Sequence, residues 1–352
     1  MSRNATIIGA GIAGLAAAIH LRTHGWRVEV HERDPVLSVN GTALTLWPGA
    51  MAALDTLGLG ERARELGLTA VRGEYLRANG SRITPVDLAA IERKTGEPLR
   101  FVSRPALLGL LTEALPPDVL HLGSPVSAGE LPAAEVLIGA DGLRSTVRAV
   151  LFGARFRARY TGSTVWRGSA NRAATAMTET WSEGCLFGTT PQDGGRTNWY
   201  ASAPALETDR CPDGEPAALR ARFGGWHSGI RAVLDDLDEH SVLRHGLYTL
   251  DPPLPGYVRG NAVLLGDAAH AMSPTLGRGG CEALIDGVVL ARELVERARI
   301  ADALTAYDAR RRRPTQRLAR AAGLVARMAE VRRHTAPRDT ALRLAMRLSP
   351  AG

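Results

Sequence analysis

Lysine is almost absent: Lys94 is the only one in 352 residues, so arginine carries nearly all the positive charge behind a formal net charge of +7. A cationic surface attracts anionic cofactors. The basic residues are dispersed until the C-terminal segment. No nucleic-acid partner is therefore expected, and the arginine-rich residues 310–347 read as a helix with a solvated cationic face. Cysteine is scarce too. Cys185, Cys211 and Cys281 are odd in number and scattered, which excludes a disulfide framework and a metal-ligand spacing, and fits a reducing compartment. No apolar run is long enough to span a bilayer. Residues 1–4 lead straight into strand-like residues 5–8, leaving no room for a signal peptide. The expectation is a cytoplasmic protein with no membrane span. The histidines, serines and carboxylates form no hydrolase triad and no metal set. No repeat and no low-complexity linker interrupts the chain, and nothing in it speaks to oligomeric state.

What is present has a clear order. A chain of this length suits two packed domains rather than one core. Residues 5–8, a glycine turn, a helical stretch over 15–22 and a second strand at 28–30 form a βαβ unit. Asn79-Gly80, between two alternating stretches in residues 73–88, is a hairpin signal. Buried-strand patterns return at 136–138 and 262–265. Residues 160–203 read as strands, with a helical stretch over 216–234 and another strand at 242–250. Two long helical patterns close the chain, the second carrying Pro314 as a possible kink. The predicted fold class is α/β: a Rossmann-like nucleotide-binding domain from 1–73, 97–160 and 258–333, and an inserted antiparallel-sheet domain from 74–96 and 161–257. A tail at 334–352 is expected to be partly helical.

Two glycine-and-acid constellations carry the chemistry. In Gly9-Ala10-Gly11-Ile12-Ala13-Gly14, Gly9 permits a tight bend, Gly11 lets backbone N–H groups approach a pyrophosphate, and Gly14 allows close helix–strand packing. Glu32 ends the second strand, where a carboxylate can accept both hydrogen bonds of a ribose diol. It would repel a 2′-phosphate, which argues against this turn as an NADPH site. Arg33 can lie over the adenine or ribose, or be a solvated surface arginine. The second constellation is Gly266-Asp267, then Pro274, Gly277, Arg278, Gly279 and Gly280, opening a helix near Cys281. Ligands of open α/β sheets bind at the carboxyl ends of strands, so Asp267 would face a cofactor. The helix N-terminus beyond it would stabilise an anion. A site built from both ends of the chain implies a large, extended cofactor, and FAD fits better than NAD.

These residues resemble the FAD-dependent monooxygenases of the aromatic-hydroxylase type, which include salicylate hydroxylases and zeaxanthin epoxidases. The likeness extends to about Arg333. It includes Leu46-Trp47-Pro48-Gly49-Ala50, Ser103-Arg104-Pro105, Asp141-Gly142 with Ser145 and Arg148, Thr164-Val165-Trp166-Arg167-Gly168, and Gly266-Asp267-Ala268-Ala269-His270. The resemblance implies that Asp267 holds the ribityl or pyrophosphate part of FAD and that Arg104 pairs with the pyrophosphate. It implies that Asp141 helps hold FAD and NADPH, largely through local structure, and that Thr42 and Val126 also border the cofactor. His270 is expected to make a structural hydrogen bond. The implied reaction is monooxygenation, by hydroxylation or epoxidation, of a small apolar, aromatic or unsaturated metabolite. NADPH or NADH reduces FAD, O2 adds to the reduced ring, and the hydroperoxide delivers one oxygen atom. Since the flavin does this chemistry, no catalytic side chain is assigned. Trp166, Phe187, Trp199 and Tyr200 are candidates for an apolar substrate wall, although strand alternation turns some of them away. Cys281 and Arg278 depart from the asparagine and glutamine often found there. Three alternatives stay open: a reductase or oxidase on the same scaffold, a non-catalytic flavoprotein with a basic binding surface, and a plain NAD(P) dehydrogenase.

Overall fold

Short β-branched runs bounded by glycines fold into a parallel sheet, and longer alternating runs into an antiparallel one. A computed structural model describes residues 3–37, 42–129 and 131–348. The first part of the chain runs β1 (Asn4–Ile8), α1 (Ile12–Thr23), β2 (Arg27–His31), β3 (Ala43–Leu46), α2 (Pro48–Thr56) and α3 (Gly60–Leu66). A hairpin and its exit follow: β4 (Arg72–Arg77), β5 (Arg82–Val86), α4 (Leu88–Thr95), β6 (Arg100–Ser103) and α5 (Arg104–Glu113). Then come β7 (Leu120–His121), β8 (Val136–Gly139) and α6 (Thr146–Phe152). The large sheet takes β9 (Arg157–Ala170), β10 (Ala176–Ser182), β11 (Cys185–Gln192) and β12 (Arg196–Pro204), followed by α7 (Glu215–Phe223), α8 (Ser228–Asp235) and β13 (Leu243–Asp251). The chain closes with β14 (Val258–Arg259), β15 (Ala262–Leu264), α9 (Asp267–His270), α10 (Gly279–Glu296), α11 (Ile300–Ala329) and α12 (Thr335–Leu348).

The first sheet has strand order β14-β15-β8-β1-β2-β7 and is parallel except at β14–β15. Its central residues Ile7, Val30, Val136, Ile138 and Val263 have no exposed surface, as expected of a parallel sheet covered on both faces. The order reverses between β1 and β8, so the crevice for a ligand opens where these two strands end. The second sheet has order β13-β9-β12-β11-β10-β4-β5. It is antiparallel apart from the parallel pair β10–β4. Asn79-Gly80 does sit at the turn between β4 and β5. The alternating residues of β9, β11 and β12 send Trp166, Phe187 and Trp199 to one face, where they pack with Phe223, Trp226 and Ile230 from α7, α8 and the loop between them. Fully burying such side chains contributes about 1.5–3 kcal/mol each.

Three local expectations change. β9 already begins at Arg157, so the strand continues from the segment that leaves the parallel sheet. β10 lies within the stretch expected to form strands, and it pairs in parallel with β4 of the hairpin. α11 runs through Pro314 without a break. The tail forms α12, which docks on the hairpin: Asp339 is buried and bridges Arg77 and Arg338, and Arg343 donates to the Ile83 carbonyl. Two of the tail arginines are thus tied into the fold.

Candidate active site

The turn after β1 is shaped by contacts that only glycine allows. Gly9 has φ +106°, and a Cβ there would lie 2.4 Å from the Ala140 carbonyl oxygen after β8. A Cβ on Gly14 would lie 2.1 Å from the Gly9 carbonyl oxygen, so α1 seats directly against the turn. Gly11 differs, since nothing of the protein lies within 4 Å of the position a Cβ would take. The turn is packed by protein at Gly9 and Gly14 and open at Gly11.

The N-terminus of α10 arrives at the same place. A Cβ on Gly280 would sit 3.7 Å from the Ile12 side chain of α1, and one on Gly266 would sit 3.4 Å from Ala13. Two helix N-termini, each worth about half a positive charge, therefore open side by side beyond the switch point. Gly279 points away from the protein, with only Met272 Cγ at 4.0 Å. Gly277, at φ +61°, brings the preceding loop over Thr45.

Asp267 stands between these helices. It is exposed to solvent although Gly266, Ala268, Ala269 and His270 are all buried, so its side chain faces the crevice that opens between these helices. Crowding by protein raises its pKa above the usual carboxylate value, and the charges of His270, Arg104 and Arg148 oppose that rise. Arg148 is buried and locks the crevice from behind. Its guanidinium donates to the carbonyls of Asp267, Ala268, Leu143 and Phe156, which ties the Asp141-Gly142 loop to the Gly266-Asp267 loop. Asp141 accepts from Ser145 Oγ at 2.5 Å and from the Val147 N–H at 3.0 Å, so its carboxylate organises the start of α6.

Arg104 opens α5 behind its cap Ser103, and its own N–H donates to the Thr42 carbonyl at 3.1 Å. Its guanidinium, like that of Arg167 on β9, has no acidic partner among the described residues. Burial and the nearby Arg104 lower the pKa of Arg167. Two unpaired cations beside two helix N-termini make a strongly anion-favouring crevice.

Other expected residues fall differently. Glu32 is at the predicted place, but its oxygens already accept the N–H groups of Ala10 at 2.8 Å and Asp34 at 3.1 Å. Each oxygen keeps a further lone pair. Arg33 is exposed and lies 3.8 Å from Asp34. The Arg278 side chain is committed to Glu282 at 3.0 Å and to the face of Trp47 at 4.8 Å, so only its backbone faces the crevice. Cys281 donates to the Thr45 carbonyl at 3.1 Å and receives the Trp47 N–H at 3.5 Å. Burial pushes its thiol up to about 11, and it clamps the junction of β3 and α2 to α10. Pro274 is exposed at the start of the loop. Val126 packs half-buried on the core.

The four-residue wall expected for a substrate reduces to Tyr200. Trp166, Phe187 and Trp199 are core residues on the α7–α8 face, with Trp166 donating to Glu215 at 2.6 Å and Phe187 stacked on Trp199 at 5.8 Å. Residues 165, 167, 186, 188 and 200 point the other way. There, Tyr200, Glu179, Val165 and Leu186 border a cavity of about 50 Å³ shared with Pro274 and Thr275.

A second ionic group lies behind the crevice. Asp286 has no exposed surface. It accepts from the Gly266 N–H at 2.9 Å, His270 Nε2 at 2.6 Å and Arg311 Nε at 2.6 Å. Arg311 also donates to Glu282 at 2.5 Å. His270 therefore makes a structural hydrogen bond. Glu282, Asp286 and Arg311 were not singled out from sequence. The available signal was Glu282 and Asp286, one turn apart within the otherwise apolar stripe of α10. Among the described residues no group of His, Cys, Asp or Glu could hold a metal, and no helix is long and apolar enough to cross a membrane.

Known proteins share this architecture. Residues 3–115 and 130–322 match the FAD binding domain family. Aurachin C monooxygenase/isomerase of Stigmatella aurantiaca is 34% identical over 323 residues, covering 86% of this chain and 83% of that protein. The FAD-dependent urate hydroxylase of Klebsiella pneumoniae is 30% identical over 330 residues, covering 87% and 85%. The crystal structure of Klebsiella pneumoniae HpxO with FAD and uric acid superposes with a TM-score of 0.88 at 26% identity, over 98% of this chain and 93% of that one.

Proposed function

We propose a reaction for this chain, which belongs to the FAD binding domain family and, with its relatives, is an FAD-dependent monooxygenase: NAD(P)H- and O2-dependent insertion of one oxygen atom into a small, largely apolar metabolite. The observation that carries the reading is the meeting of the α1 and α10 N-termini at one crevice that Asp267 faces. Such a crevice suits an extended anionic dinucleotide. Bound there, FAD supplies redox chemistry that no side chain of this protein can, accepting electrons from NAD(P)H and activating O2.

The chain's own residues do the rest. Backbone N–H groups at Gly11 and the α1 dipole hold the pyrophosphate, with Arg104 as its charged partner. The remaining lone pairs of Glu32 receive the adenosine ribose, and Asp267 the ribityl hydroxyls. The open face of Gly279 admits the ring, and the α10 N-terminus favours negative charge that develops on it. The cleft face of the second sheet orients the substrate and excludes water.

The purified protein should be yellow and should consume NAD(P)H faster when a turnover substrate is present. Isotopically labelled O2 should place one labelled atom in the product, and labelled water none. His270→Ala should retain oxygenation, because His270 faces Asp286 rather than the crevice. Product carrying no oxygen from O2 would leave the reductase or oxidase reading in its place.

A further inference from the structure

One row of residues crosses the cleft face of the second sheet. In register, Arg167 on β9 pairs with Tyr200 on β12, Tyr200 with Gly188 on β11, Gly188 with Glu179 on β10, and Glu179 with Tyr75 on β4. Gly188 makes the row possible: a Cβ there would lie 2.1 Å from Tyr200 Cζ and 2.4 Å from its hydroxyl. The tyrosine ring thus lies across the glycine and reaches Glu179. Glu179 is 8% exposed, and its carboxyl accepts two hydrogen bonds, from Trp181 Nε1 at 2.6 Å and from the Tyr200 hydroxyl at 2.7 Å. These lengths are those of charge-assisted bonds to a carboxylate. Glu179 and Tyr200 also border the cavity of about 50 Å³ beside Pro274 and Thr275, amid Val165, Leu186 and Leu247. That volume is roughly one or two waters' worth, enough for a polar head group and not for a ring system.

We propose that Glu179 is a positioning residue that sets the hydrogen-bonding polarity of Tyr200, so that the cavity selects substrates presenting a hydroxyl or ring N–H donor. The argument is an inventory of protons. A carboxylate is acceptor-only, so the Tyr200 proton is drawn inward and its oxygen offers a lone pair to the cavity. An apolar ligand bearing one donor satisfies that lone pair. A ligand bearing only an acceptor leaves it unpaired and meets a second lone pair. The proposal rests on the monooxygenase reading and names the substrate class of that site.

The inventory also dictates what Glu179→Gln does. The indole N–H of Trp181 is a donor only, so the amide oxygen must face it. The amide NH2 then faces Tyr200, whose proton must turn outward. The variant converts an acceptor site into a donor site with almost no change of shape. Protonating Glu179 in the parent protein has the same consequence. Burial raises its pKa, and the bonds from Tyr200 and Trp181 hold it back down. The other titratable groups around it are accounted for. Tyr75 neighbours it on β4, Glu330 just past α11 accepts from Ser163 at 2.7 Å, and Arg338 over Trp181 is paired with Asp339.

The test compares phenol with its methyl ether, anisole, on the FAD-loaded protein. Binding is read by calorimetry, so that it does not depend on turnover. The parent protein at neutral pH should bind phenol roughly tenfold more tightly, and the preference should shrink on acidification. Glu179→Gln should abolish or reverse it. Tyr200→Phe should remove it at every pH, and this variant decides the matter if Glu179→Gln does not fold. Equal binding of the two ligands by the parent protein, or no binding of either, overturns the proposal. So does a folded Glu179→Gln or Tyr200→Phe that keeps the parent's preference. A colourless protein that retains the preference counts against the flavoenzyme reading and not against this one.

Discussion

Two ionic groups built from the same residue types lie back to back, one closed and one open. Asp286, His270, Arg311 and Glu282 pair with one another in the interior, where, among the described residues, His270 Nδ1 alone of the group lacks a partner. Asp267, Arg104 and Arg167 stand in the crevice with their charges unspent. The first group fixes where Gly266 sits, because the Asp286 carboxylate receives the Gly266 N–H. The second depends on that placement, since Asp267 follows directly. Mutual satisfaction marks a group that holds the fold, whereas charge left unpaired by the fold marks a place for a ligand.

The sharpest way to break this comparison is Asp286→Ala. Removing the shared acid strands a buried imidazolium and leaves Arg311 with Glu282 alone, and should cost about 3–5 kcal/mol in urea unfolding. A loss below about 1 kcal/mol would make the closed group dispensable. Next come Asp267→Ala and Arg104→Ala. Each should leave the unfolding free energy within about 0.5 kcal/mol of the parent while weakening FAD by about 1.5–3 kcal/mol, measured by fluorescence on FAD release. If these variants unfold easily and keep FAD, the roles of the two groups are reversed.

Gly279→Val sharpens the picture at one point. The protein leaves that side of the glycine open, so the new side chain meets the flavin rather than the fold. FAD occupancy should fall several-fold with a stability change of about 1 kcal/mol or less. An unchanged visible spectrum would move the ring elsewhere.

The smallest expected effect is on pH dependence. Burial alone pushes the His270 pKa down, but the charge and hydrogen bond of Asp286 prevail and hold it above 6.5. Its protonation therefore stabilises the fold fully below 6.5, and this contribution is lost as pH rises through the folded value. Asp286 is the mirror case. Burial raises its pKa, His270 and Arg311 lower it by more, and its contribution is lost only as pH falls through a value under 3.8. The melting temperature should decline on the alkaline side by the order of 2 °C more in the parent protein than in His270→Asn.

Much of the crevice's local geometry was legible in advance because each of its parts is local. A glycine turn after a strand, an acid at the next strand's end and a glycine-rich helix start are short-range signals, and Gly9, Gly14, Asp267 and Gly279 took up the geometry those signals require. The Asn79-Gly80 hairpin is local in the same sense. The side-chain commitments of Arg278 and Cys281 were not legible, because their partners Glu282, Trp47 and Thr45 are set by packing. Nor could composition say which aromatics face the cleft. Alternation specifies two faces without saying which one a helix will cover, and α7 and α8 claimed Trp166, Phe187 and Trp199.

The sequence by itself determined the α/β class, the glycine turn between β1 and α1 and the glycine-rich start of α10, since backbone conformation and strand or helix period act over a few residues. Only the tertiary structure decided which charges cancel and which remain. Asp286 and Arg311 are 25 positions apart, and Glu179 reaches Tyr200 across an intervening strand over a glycine. Such pairings are settled by sheet register and helix packing, where no short-range signal reaches.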